Sequence, residues 1–98
     1  MVPIDLNYIK ALKIWNEVIY LSPFQDVNIK NYDKYKLFLD KFSKNYIDTL
    51  ESINKTPVLF RSYNWKKDRI ILCNLIFIIS MERVRYYNLF VNNTIFKL

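Results

Sequence analysis

The sequence predicts an α+β domain in which two N-terminal helices pack on a C-terminal antiparallel β-meander of three to four strands. Three observations carry this. Apolar residues in the first half recur at spacings of three and four, the repeat of a helix with one buried face. Residues 70–79, Ile-Ile-Leu-Cys-Asn-Leu-Ile-Phe-Ile-Ile, contain five isoleucines, and β-branched enrichment favours strand. Across 68–91 the polar residues Asp68, Arg69, Asn74, Ser80, Glu82, Arg83, Arg85 and Asn88 scatter round a helical wheel. Alternation instead puts Ile71, Cys73, Leu75, Phe77, Ile79 and Met81 on one strand face. The alternative is an all-α chain with a buried third helix at about 68–91, because apolar runs of this kind suit both states.

The elements follow in order. Residues 5–21 read as an amphipathic helix, with Tyr8, Ala11, Leu12, Trp15, Val18 and Ile19 on one face and Asp5 as N-cap. Residues 22–31 carry Ser22, Pro23, Asp26 and Asn28 and read as a loop. A second helix is expected from about Tyr32 to Ile53, with Asn31 or Asp33 capping its start. Tyr35, Phe38, Leu39, Phe42, Tyr46, Leu50 and Ile53 form its apolar face, and Asp40 and Lys44 stand in the favourable acid-before-base order at i,i+4. Asn54 is placed to take a left-handed stop before Pro57. Strands are expected near 57–64, 69–80, 84–91 and 94–98, with turns at Trp65-Lys66-Lys67-Asp68 and Asn92-Asn93.

Ninety-eight residues, 52% hydrophobic and 24% charged, suit a single domain spanning 1–98 with a core of its own. No apolar run reaches the roughly 18 residues of a membrane span, and the first residues lack a signal-peptide pattern, so a cytoplasmic location without membrane partners is expected. The lone Cys73 excludes an internal disulfide and a cysteine zinc cage, and the lack of histidine removes the commonest general base and metal ligand. Without glycine there is no glycine-rich phosphate loop. No cofactor or metal is therefore expected, and no catalytic residue is assigned. Asp68 and Glu82, flanking the long central strand, are the pair that a metal-dependent nuclease would use.

The net charge of +6 is uneven: residues 1–60 contribute +1 and residues 61–98, which hold all four arginines, contribute +5. A positive field of this kind attracts nucleic acid or an acidic protein. The strand reading of 83–91 sets Arg83, Arg85 and Tyr87 on one face, where arginines grip phosphates and a tyrosine stacks on a base. Together with Arg61, Tyr63, Trp65, Lys66 and Lys67 they form the expected partner-binding surface. On the central strand Ile70, Leu72, Ile76 and Ile78 share the face away from the helices, and a second subunit is the expected cover, making a homodimer.

Ile, Lys, Asn and Tyr, all with AT-rich codons, make up 43 of the 98 residues. A short AT-rich gene fits a virus or phage, and also an AT-rich bacterium, archaeon or protist; the viral source is the one expected here. The leading functional expectation is a non-enzymatic protein that docks on and inhibits a host macromolecule, such as a host protein or a protein–nucleic-acid complex, in the manner of an anti-CRISPR inhibitor. Its abundant Tyr, Trp and Arg are the residues that dominate binding hot spots. The alternative is a small basic nucleic-acid-binding protein of viral origin that uses the Arg/Tyr-rich C-terminal sheet. In either case the protein would work in the host cytoplasm.

Overall fold

The computed structural model describes residues 5–24 and 32–96, the last four of them as backbone only. Three α-helices make up the fold: α1, Leu6–Tyr20; α2, Tyr32–Lys55; and α3, Trp65–Phe96. A 3₁₀ turn at Val58–Phe60 lies between α2 and α3, and no strand occurs among the described residues. The first two helices stand where their periodicity puts them. Asp5 caps α1, its Oδ1 accepting from the Asn7 N–H at 2.9 Å. Of the two residues expected to cap α2, Asp33 lies in its first turn and Asn31 is outside the described residues, as is much of the loop at 22–31.

The β-meander is replaced by one helix of 32 residues, about 48 Å long at 1.5 Å per residue. The segments expected as strands at 69–80 and 84–91 both lie inside α3, as do both expected turns. The segment at 57–64 is the 3₁₀ turn and its flanks, and the segment expected at 94–98 runs as helix as far as Phe96, with 97–98 outside the described residues.

The polar residues of α3 scatter round the helix for a physical reason: α3 has two apolar faces rather than one. On one side Ile71, Leu72, Leu75, Ile78, Ile79 and Tyr86 pack into the core; on the other a second apolar stripe is exposed. The polar residues between are bound locally. Arg83 pairs with Asp40 on α2, Glu82 accepts from Tyr35 and Arg85, and Asn74 and Ser80 donate to carbonyls one turn back in their own helix. The helix-propensity penalty of isoleucine is a fraction of a kcal/mol, roughly 0.7 at most, and burial of the same side chain outweighs it.

Both α1 and α2 pack along α3, which is the spine of the fold. Ala11, Trp15, Tyr35, Leu39, Leu75, Ile78, Ile79 and Tyr86 form the buried core. Between α1 and α2 the gap is bridged by large rings: Trp15 meets Phe42 edge-on at 5.9 Å and Phe38 at 6.2 Å. Further along, Tyr32 stacks on Tyr86 at 5.4 Å and on Phe90 at 4.3 Å. Inside this aromatic core Tyr35 donates its hydroxyl to Glu82 Oε1 at 2.9 Å. Burial, followed by the Glu82 charge, pushes the Tyr35 phenol well above its ordinary value, and burial also raises Tyr46 and Tyr86. The shape is long, with extents of 59 × 35 × 22 Å and a radius of gyration of 16.2 Å, against about 13 Å for a compact chain of this size.

Two local expectations are also corrected. Asp40 forms its ion pair with Arg83 across the α2–α3 contact, at 2.7 Å, because a cation on a facing helix reaches it in place of Lys44. Asn54 is helical, and α2 runs on to Lys55. Its end is closed by Arg61, whose Nε donates to the Thr56 carbonyl at 2.7 Å and whose Nη2 donates to the Asn54 carbonyl at 3.1 Å.

Candidate functional site

The residues expected to bind a partner divide between two places. Lys66 and Arg83 lie seventeen positions apart on one straight helix, about 26 Å, so the basic residues of the C-terminal half do not form a single surface.

The first place is the corner between α2 and α3. Pro57 breaks the chain from α2, the 3₁₀ turn follows, and Trp65 opens α3. Trp65 is the hub. The Arg61 guanidinium lies over its ring at 4.3 Å, Arg69 at 5.6 Å and the Lys66 ammonium at 5.7 Å. Arg61 is half-buried and occupied with closing α2, so its role there is structural. Lys66, Lys67 and Arg69 are exposed. From α1, Lys10 reaches the same corner: contact with the Lys67 ammonium, and repulsion from it, hold Lys10 below the ordinary lysine value. Two like charges side by side, with the positive end of the α3 dipole beneath them, make an anion-seeking surface. Beside the cations the turn exposes Val58, Leu59 and Phe60, and the Tyr63 side chain is 100% exposed.

The second place is a cleft of about 340 Å³ between α2 and α3, lined chiefly by Tyr32, Lys36, Leu39, Arg83, Tyr86 and Tyr87. Its walls are mostly aromatic and aliphatic, with two cations at the rim. Arg83 Nη2 is held by Asp40, and the buried Arg83 Nε has no acceptor among the described residues. Arg85 is tied to Glu82, which raises its guanidinium above the ordinary value chiefly through that hydrogen bond. Arg83 and Arg85 therefore serve the helix packing, and Tyr87, which is exposed, does not share a face with both of them as the strand reading required.

The expected dimer face also disperses. Ile70 is exposed, Leu72 and Ile76 are half-buried, and Ile78 is in the core, because residues two apart on a helix point about 200° apart rather than the same way. Asp68 and Glu82 are fourteen positions apart on α3, about 21 Å, too far to hold one metal ion between them. Among the described residues no group of three or more acidic or cysteine side chains is placed to hold a metal, and no helix is long and apolar enough to cross a membrane.

Arg69, Lys10, Leu59 and Phe60 were not among the residues expected at a binding surface. Arg69 carried a signal, since it belongs to the Lys66-Lys67-Asp68-Arg69 run. Lys10 carried none, because only the packing of α1 on α3 brings it to the corner. No protein-family model matches the chain, and no curated protein or solved structure is significantly similar to it.

Proposed function

We propose that the protein acts by binding and not by catalysis, and that it docks on the acidic surface of another macromolecule through the α2–α3 corner. The observation that carries this is the packing of Lys66 and Arg69 on Trp65, with Lys67 and its neighbour Lys10 at the same end of α3 and Phe60 and Tyr63 exposed just before it. Aromatic anchors rimmed by cations are the composition of a protein-binding hot spot. The cations steer an acidic partner in, and Phe60, Leu59 and Tyr63 supply the apolar area that holds it. The AT-rich coding signature supports a viral or phage origin, and with it a host macromolecule as the partner.

The test is the triple reversal Lys66→Glu/Lys67→Glu/Arg69→Glu. These residues are exposed, so the helix content should be unchanged. A partner retained by the unaltered chain from nuclease-treated lysate should be lost by the variant, with the association rate down by at least about tenfold. Retention of the same partner at the same rate by the variant would remove the corner from the binding surface.

A second reading, nucleic-acid binding, is favoured by one observation: the Lys10–Lys67 pair is what two neighbouring phosphates would neutralise, with Tyr63 free to stack on a base. Titration of labelled single- and double-stranded oligonucleotides at about 50 and about 200 mM salt separates the two readings. Submicromolar binding at the higher salt selects nucleic acid; weak binding that collapses with salt selects protein.

A further inference from the structure

The side of α3 opposite its core-facing residues carries a heptad stripe, whose Val84 and Tyr87 also border the α2–α3 cleft. Ile70, Phe77, Val84 and Val91 recur every seven residues, and Cys73, Ser80 and Tyr87 fall three positions after the first three of them. These are the a and d positions of a coiled-coil seam. Ile70 is 45% exposed, and Phe77, Val84 and Tyr87 are each 55% exposed; Met81, at the seam's edge, is 53% exposed. No charged residue interrupts the seam over about 31 Å. The Ser80 hydroxyl is already engaged within the helix, donating to the Ile76 carbonyl at 2.9 Å, and the neighbouring Asn74 donates to the Ile70 carbonyl at 3.0 Å. Covering the stripe would thus leave the Ser80 hydroxyl satisfied.

We propose that a second copy of this chain covers the stripe, with the two α3 helices antiparallel. Area is the first argument. The chain exposes 7667 Å², where a folded monomer of 12.0 kDa exposes about 6,000 Å². The excess, roughly 1,700 Å², belongs to the elongated chain as a whole, the stripe included, and leaves room for the roughly 800 Å² per partner of a standard stable interface. Charge sets the direction. A parallel pair would put Lys66, Lys67 and Arg69 beside their own copies and align the two helix dipoles. An antiparallel pair brings that basic end against residues 86–92, which carry no charge, in the C-terminal half of the other helix.

Pairing a with d positions then sets Ile70 opposite Tyr87 of the second copy, Phe77 opposite its Ser80, and Val84 opposite its Cys73. The bulky Phe77 ring thereby meets the smallest side chain of the seam. In the same register each Lys66, one heptad before Cys73, lies opposite Val91 of the second copy, so the two basic ends stand at opposite ends of the pair, about 37 Å apart along the axis.

Sedimentation and thiol cross-linking test the proposal. The unaltered chain should sediment as a dimer over about 1–100 μM, and Phe77→Glu should raise its dissociation constant by at least about thirtyfold while leaving the circular dichroism unchanged. Under mild oxidation Val84→Cys should give a covalent dimer through Cys73 of the other copy, and the same variant with Cys73→Ser should lose it. Within one chain residues 73 and 84 are about 16 Å apart on the helix, too far for a disulfide. A chain that stays monomeric over that range overturns the proposal. Efficient cross-linking of the unaltered chain through Cys73 alone overturns the antiparallel arrangement.

Discussion

Replacing Tyr35 with phenylalanine isolates the Tyr35–Glu82 hydrogen bond that joins α2 to α3 at the aromatic core. The ring is 2% exposed, so Tyr35→Phe keeps the buried apolar area and removes only the hydroxyl. That hydroxyl donates to Glu82 Oε1 at 2.9 Å, and a hydrogen bond to a charged acceptor contributes about 1.5–3 kcal/mol. Glu82 keeps Arg85 as a donor, so the loss should fall in the lower half of that range, about 2 kcal/mol near neutral pH.

Alkaline pH should then erase the difference. Below pH 10 the phenol is protonated in both the folded and the unfolded chain and adds no pH dependence. Above it the unfolded chain releases a proton that the folded chain holds, because burial and Glu82 raise the folded value. Stability therefore falls as pH rises, by about 1.4 kcal/mol per pH unit for this group. The phenylalanine variant has no such proton, so its curve is shallower by that slope, and the two proteins should be equally stable near pH 11.5. Urea denaturation followed by circular dichroism from pH 7 to 11.5 measures both effects. A constant gap between the two curves across that range would refute the buried, protonated Tyr35.

Three further perturbations have outcomes set by the packing. Ile79→Ala, at a side chain that is 0% exposed in the middle of α3, should cost about 2–5 kcal/mol by urea denaturation, and a loss under about 1 kcal/mol would place Ile79 outside the core. Arg61→Ala removes two donors from the end of α2 and a cation from the Trp65 face, and should lower stability by about 1–2 kcal/mol with a change in tryptophan emission. Asp40→Asn breaks the Arg83 ion pair, but both side chains are more than a third exposed, so thermal unfolding should register less than about 1 kcal/mol.

The sequence by itself determined α1, α2, the Asp5 cap and the core-facing residues Trp15, Tyr35 and Leu39. In each of those helices one apolar face opposes one polar face, and the helical repeat is visible without knowing what lies opposite. It also made the run Trp65-Lys66-Lys67 legible as a candidate binding segment, because a run of cations beside aromatics is local. Only the tertiary structure decided that residues 65–96 form one helix. A helix buried on one side and apolar on the other has no polar face to reveal its period, and its isoleucines imitate a strand. The partners of its polar residues were likewise invisible. Asp40 could be paired from sequence only with its i,i+4 neighbour, whereas the facing helix supplied Arg83. Glu82 found Tyr35, forty-seven residues away. Lys10 reached the corner only because α1 lies along α3. Local periodicity reports on a residue's own element; which charges meet, and which apolar face is left uncovered, depends on the neighbouring elements.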